Sequence, residues 1–257
     1  MNAVGIVAEY NPFHLGHAYH IAKTRRLLGE ERGVVCVMSG SWVQRGECAI
    51  TDKWTRTAMA LKGGADLVLE LPLPWAISSA EGFARGAVAV LKATGVVDTL
   101  SFGSESGDLE GLKILAAALD SGEYREILRG ELDKGLAFAD ARQRAATELM
   151  GNRGGLLRGP NDSLGVEYLR AAGGEVGVAV VPRRGVNHDG NTPEDGYASA
   201  SYLRKGLRSG EDVSQWLGEK GSKALEKGEL ARMEHIERAM LSRLRQMREE
   251  DFAILPD

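Results

Sequence analysis

"AVGIVAEYNPFHLGHAYHIAKTRRLL", residues 3–28, decides the fold. It opens on "AVGIVA", a continuous apolar run with β-branched residues, as expected of a strand buried on both faces of a parallel sheet. It closes on "HAYHIAKTRRLL", which reads as a helix, and between the two Pro12 and Gly16 interrupt regular structure. The pattern then repeats. "GVVCVMS" (33–39), "ADLVLEL" (65–71), "VVDTLSF" (96–102) and "EVGVAVVP" (175–182) read as strands. Residues 17–29, 52–63 and 77–94 read as helices, the second with Thr51 or Asp52 as N-cap and "GG" at 63–64 as its stop. This alternation predicts an α/β fold, a doubly wound parallel sheet. It spans 1–210, with a mostly helical insertion at about 108–172, and 211–257 follows as a helical C-terminal segment.

The 257 residues are 43% hydrophobic, enough for one sizeable core, and the net charge of -4 gives no overall basic field. Cys36 and Cys48 fit no zinc spacing. With no signal peptide or long apolar span, the reading is a cytosolic, reducing compartment and no membrane partner. One local basic patch stands out, formed by Arg142, Arg144, Arg153 and Arg158. It reads either as a solvated helix face or as a contact for RNA phosphates.

His14, His17 and His20 fall at i, i+3 and i+6, where a strand hands over to a helix. Zinc pairs normally use i, i+4 with a further ligand, and neither HExxH nor a companion cysteine is present, so no metal ligand is assigned. The pattern His14-Leu15-Gly16-His17 suits an anion better. Gly16 permits close backbone approach, the first helical turn offers unpaired N–H groups, and two imidazoles can donate to charge developing on a displaced phosphoryl group. Late in the chain "SASYLR" (199–204) offers Ser199 and Ser201 as helix caps and Arg204 as a cation for the same phosphates. "QRGE" and "DKWTR" follow the second strand, so Arg45, Lys53 and Arg56 are anion-binding or packing residues. His188 and Asp189 lie in a polar loop that can close over a substrate.

HxGH with "SASYLR" resembles the HIGH/ISSTxxR constellation of the nucleotidyltransferase superfamily, which implies a Rossmann-like (HUP-type) fold. The segments "GIVAEYNPFHLGHAYH", "VMSGSWVQRGECAITDKWTRTAMALKGGADLVLELP", "SAEGFARGAV", "FGSE" and "NDSLGVEYLRA", in that order, resemble the tRNA(Met) cytidine acetate ligase family over essentially the whole of 2–257. The resemblance implies an enzyme that makes acetyl-AMP and pyrophosphate from acetate and ATP. The acetyl group then passes to the wobble cytidine of elongator tRNA(Met), and Mg2+ is held mainly by phosphates. It implies catalytic roles for His14, His17, Ser201 and Arg204. The ATP loop is then Val7, Ala8, Glu9, Tyr10, Asn11, Pro12, Phe13, His14, Leu15, Gly16, His17, Ala18, Tyr19 and His20. Gly103, Asn161 and Arg183 join it, with Arg184 competing because the register of "PRRG" is open by one residue. Ser41 stands where the family's pattern has Asn. Family members continue beyond "ILPD", which makes 211–257 the start of a further region and predicts weak tRNA binding, mainly through the 142–158 arginines. HxGH alone does not name the acceptor. A nucleotidyltransferase acting on a small phosphorylated metabolite, and a non-catalytic nucleotide-binding protein, stay open at this point.

Overall fold

The computed structural model describes residues 2–44, 46–183 and 192–252. Five strands form one parallel sheet: β1 (Ala3–Ala8), β2 (Gly33–Ser39), β3 (Leu67–Leu71), β4 (Val97–Ser104) and β5 (Gly177–Pro182). Their order is β3-β2-β1-β4-β5, and Ile6 pairs with Cys36 on one side and Ser101 on the other. The chain therefore winds outward from β1 in one direction and then, from β4, in the other. Ligands of such sheets bind outside the strand C-termini where the order reverses, here between β1 and β4.

Helices cover both faces. On one face lie α1 (Leu15–Leu28) and α2 (Lys53–Lys62), which enclose Ile21, Met59 and Ala60 with Ile6, Val34, Cys36 and Met38. After the single turn α3 (Leu73–Ala76), α4 (Ala80–Ala93) covers the other face. The segment between β4 and β5 holds α5 (Leu109–Leu119), α6 (Gly122–Asp133), α7 (Phe138–Met150), a 3-10 stretch (Gly151–Arg158) and α8 (Pro160–Ala172). Phe83, Leu91, Leu112, Leu115 and Val166 join these helices to the sheet in one core. Gly165 lets α8 lie directly on β4, since a Cβ there would come within 2.4 Å of the Phe102 ring.

After β5, α9 (Ala200–Ser209) returns to the α1 face, where Leu203 is fully buried. Two short helices follow, α10 (Ser214–Leu217) and α11 (Glu219–Leu225), and α11 packs on α2. Ala231 N–H donates to Ile50 O at 2.8 Å, tying the following loop to the start of α2. The final helices, α12 (Glu234–Gln246) and α13 (Glu249–Phe252), bury no residue. No helix among the described residues is long and apolar enough to cross a membrane.

The expected 77–94 helix is α4, which starts three residues later because Ser79 caps it by accepting from Gly82 N–H at 3.3 Å; the turn α3 before it was not expected. The first helix starts two residues earlier than expected, at Leu15, with His14 as its cap. Arg56 is a packing residue. Its guanidinium is fully buried and donates to the carbonyls of Glu9 (2.7 Å), Ser39 (3.0 Å), Thr51 (3.2 Å) and Gly40, pinning the C-terminal ends of β1 and β2 to α2. Lys53 pairs with Glu70 at 2.5 Å on the surface. Arg45, Arg184, His188 and Asp189 lie outside the described residues.

Candidate active site

A cavity of about 460 Å³ opens at the β1/β4 switch point. The loop after β1 supplies its floor, the ends of β4 and β5 supply Gly103 and Arg183, α8 supplies Asn161, and α9 supplies Arg204. Residues from five segments of the chain thus meet at one sheet edge.

The two HxGH histidines are fixed by the helix start they occupy. His14 is the N-cap of α1, and its Nδ1 accepts from Gly16 N–H at 3.0 Å. His17, in the N3 position, returns the contact: its Nδ1 accepts from His14 N–H at 3.2 Å. This is a capping box built from two imidazoles in place of the usual hydroxyl and carboxylate. The rings stack with centroids 3.8 Å apart, and His17 also packs edge-on to Tyr10 at 4.8 Å. A neutral imidazole that accepts at Nδ1 carries its proton on Nε2. Both rings therefore present an Nε2–H donor.

Burial keeps them neutral. It lowers the His14 pKa to about 3, helped by the charge of Arg183, and lowers His17 well below the ordinary value, with His14, Arg183 and His20 adding to the effect. His20 is lowered to about 4 by burial and then by Arg183. Its Nε2 meets Ser101 Oγ at 3.0 Å, and Ser101 meets the buried Thr24 hydroxyl at 2.7 Å. The first turn of α1 itself carries no acidic side chain to compete for its N–H groups.

Across the cavity, Arg204 Nη1 donates to Asn11 O at 2.9 Å, holding the HxGH loop against α9. Ser199, not Ser201, caps α9, accepting from Tyr202 N–H at 3.1 Å. Ser201 is half-buried in the first turn and is not among the cavity-lining residues. On the far wall Arg183 donates to Asn161 Oδ1 at 3.2 Å, while Glu105 accepts from the Asn161 side-chain amide and from Asp162 N–H at 2.8 Å. Glu105 therefore seals the N-terminus of α8 and orients Asn161. Burial lowers the Arg183 pKa and Glu105 acts in the opposite sense.

Of the loop 7–20, Val7, Ala8, Glu9, Tyr10, Asn11, His14, Gly16, His17, Tyr19 and His20 line the cavity. Phe13 instead fills the core beside α2, and Pro12, Leu15 and Ala18 lie off the cavity wall. The arginine patch does not reach it. Arg142 turns inward to Glu167, Arg144 stands 3.9 Å from Glu131, and Arg153 and Arg158 are exposed. Sequence reasoning missed Phe83, Glu105, Tyr168 and Tyr197. Tyr168 had a readable signal, because it lies seven residues after Asn161 and so on the same face of α8.

The HIGH Nucleotidyl Transferase family profile matches residues 1–257. Among curated proteins, the tRNA(Met) cytidine acetate ligase of Clostridium novyi (strain NT) is 38% identical over 223 residues, covering 83% of this chain and 55% of that protein. The enzyme of that name from Acetivibrio thermocellus is 42% identical over 223 residues, 83% of this chain and 53% of that one. The crystal structure of Thermotoga maritima TmcAL bound with alpha-thio ATP superposes with a TM-score of 0.80 at 39% identity, covering 88% of this chain and 56% of that chain. Its apo form superposes with a TM-score of 0.82. The chain spans about half the length of the relatives it matches. The resemblance read from the motifs holds: the Rossmann-like sheet, the HxGH loop at its switch point and the matched profile make this chain a member of the HIGH nucleotidyltransferase family.

Proposed function

We propose that this chain binds ATP across the β1/β4 cleft and activates acetate as acetyl-AMP, the first step of acetylating the wobble cytidine of elongator tRNA(Met). One observation carries the reading. Two neutral imidazoles, locked as Nε2–H donors, stand at an acid-free helix N-terminus in a cavity that also holds Arg204 and Arg183. Neutral donors fixed in advance favour an oxygen whose negative charge grows during reaction. The oxygen that gains charge when ATP is adenylated is the one leaving with pyrophosphate. An acetate oxygen attacks the α-phosphorus in line from the opposite side, and the enzyme's task is positioning and charge stabilisation.

Asn161 and Arg183, held by Glu105, suit the nucleoside end. Ser201 enters the proposal only through a shift of α9 on binding. Mg2+ fits as a partner of the triphosphate oxygens and water, since the described residues form no group of three His, Cys, Asp or Glu able to hold a metal. Its chemistry there is neutralisation of phosphate charge. For tRNA, the exposed Arg153 and Arg158, with Arg144 beside them, are the available phosphate contacts, while Arg142 is committed to Glu167. The names of the relatives support acetate and tRNA(Met) as the substrates.

Acetate-dependent pyrophosphate release from ATP tests the proposal. The wild-type chain should release pyrophosphate only with acetate, and His17→Ala should lower the rate on the order of a hundred- to a thousandfold. Near-wild-type turnover by His17→Ala defeats the reading. So does a dinucleotide product formed with a phosphorylated metabolite in place of acetate.

A further inference from the structure

The cavity has two unlike ends. The cationic end is described above. The other, where α4 and α8 close over β1 and β4, is walled by Phe83, Phe102, Leu164 and Tyr168, and Phe83 is only 2% exposed. Two polar groups serve this apolar arm. The Tyr168 hydroxyl makes no hydrogen bond to any described residue, although the side chain is 5% exposed and lines the cavity. The other is the carboxylate of Glu9, the first residue past β1.

Glu9 is held at three points. Its Oε1 accepts from Gln44 N–H at 2.8 Å, its own carbonyl accepts from Arg56 at 2.7 Å, and its charge offsets some of the cost of burying that guanidinium. Oε2 takes no hydrogen bond from a described residue, and Glu9 is one of the residues that line the cavity. Burial, and then the charge of Glu9, push the Tyr168 hydroxyl strongly towards its protonated form, which places the two groups in one electrostatic environment. The arm thus offers a fixed hydrogen-bond acceptor, a neutral hydroxyl that can donate, and aromatic walls.

Acetate is a poor match for it. A second carboxylate beside Glu9 is repelled, and repulsion is strong where water is scarce, so the acetate charge belongs at the histidine and arginine end. A flat heteroaromatic ring with an exocyclic amine matches every element: rings face the walls, the amine donates to Oε2, and a ring acceptor takes the Tyr168 hydrogen. We propose that Glu9 and Tyr168 form the acceptor subsite for an aminopyrimidine, and that Glu9 Oε2 takes the proton the amine sheds. This rests on the acetyl-AMP reading above. In the step, the amine nitrogen attacks the acetyl carbonyl carbon and a C–N bond forms. The bond from that carbon to the AMP phosphate oxygen breaks and AMP leaves with the electron pair, while one N–H proton passes to Glu9.

Binding of free nucleosides to the full chain, loaded with a non-hydrolysable ATP analogue, tests the subsite without requiring turnover. Cytidine offers an amine to Glu9 where uridine offers a carbonyl oxygen, so the wild type should prefer cytidine by about tenfold or more. Glu9→Gln keeps an oxygen for Gln44 N–H and turns an amide NH2 towards the arm, so the preference should vanish or reverse. Tyr168→Phe should weaken both nucleosides alike. Equal binding of the two by the wild type overturns the subsite, whatever any variant does, and so does a cytidine preference that survives Glu9→Gln. Trapping the wild-type intermediate with hydroxylamine judges the underlying reading separately: acetohydroxamate forms if acetyl-AMP is made, whether or not the nucleosides are distinguished.

Discussion

Acid should destabilise this protein earlier than ordinary carboxylate titration does, because three imidazoles are folded in the neutral state. His14 falls from 6.5 to about 3, His20 from 6.5 to about 4, and His17 well below 6.5, each chiefly by burial. The folded pKa values are depressed, so stability is intact above the unfolded value and is lost as pH falls through 6.5 towards the folded values. At pH 5 an unfolded histidine holds a proton that its folded counterpart refuses, and each site then costs about 2 kcal/mol. His14 and His20, whose folded values lie below 5, give roughly 4 kcal/mol as an upper bound; His17 adds in the same direction, and solvent screening through the open cavity brings the expected loss to about 3 kcal/mol. For a chain of this size the loss corresponds to a fall of roughly 6–12 °C in Tm between pH 7.5 and 5. Thermal melts across that range measure the sum, and the imidazole proton resonances report each site. A flat Tm, or His14 and His17 resonances titrating near 6.5 in the free protein, would refute both the neutral-donor assignment and the catalytic role built on it.

Arg56→Met should cost about 3–5 kcal/mol in denaturant unfolding, because the carbonyls of Glu9, Ser39, Gly40 and Thr51 all lose their buried donor; a loss below about 1 kcal/mol sinks the clamp. Gly165→Ala places a methyl 2.4 Å from the packed Phe102 ring and should destabilise by roughly 1–3 kcal/mol, with altered tyrosine near-ultraviolet dichroism as α8 moves off β4. Glu167→Gln leaves Arg142 and Arg170 short of a carboxylate that is almost wholly buried, and unfolding should register about 2–4 kcal/mol. By the same logic Arg142→Ala should lower stability more than it lowers tRNA affinity, while Arg153→Ala should do the reverse.

The strands were legible because burial on both faces leaves an uninterrupted apolar run, and β1 and β2 match their expected limits residue for residue. β3 begins later than its apolar run suggests because Asp66 is used otherwise: its carboxylate accepts from Val34 N–H at 2.7 Å and pairs with Arg25. The HxGH loop was legible as a ligand site from its position between strand and helix. That its histidines also cap the helix was not, since histidine is not a habitual cap and the reciprocal contact depends on backbone angles that spacing does not encode. Arg56 illustrates a second limit. A cation near a sheet edge looks the same in sequence whether it awaits an anion or is enclosed by carbonyls from three separate segments of chain. Glu105 and Phe83 escaped notice because their importance comes from neighbours far along the chain.

The hydrogen bond from Arg204 to Asn11 spans 193 positions. Closing a loop that long costs about 5 kcal/mol of chain entropy, which only the finished sheet and α9 can offset. During synthesis at 5–20 residues per second, roughly 10–40 s separate the appearance of the histidines from that of their opposing arginine. A growing chain therefore displays half of the proposed phosphate site until α9 has emerged, and half a site cannot squander ATP. On the proposed reading, nucleotide capture becomes a property of the folded domain, and ATP, by favouring only that state, would act as its inspector as well as its substrate.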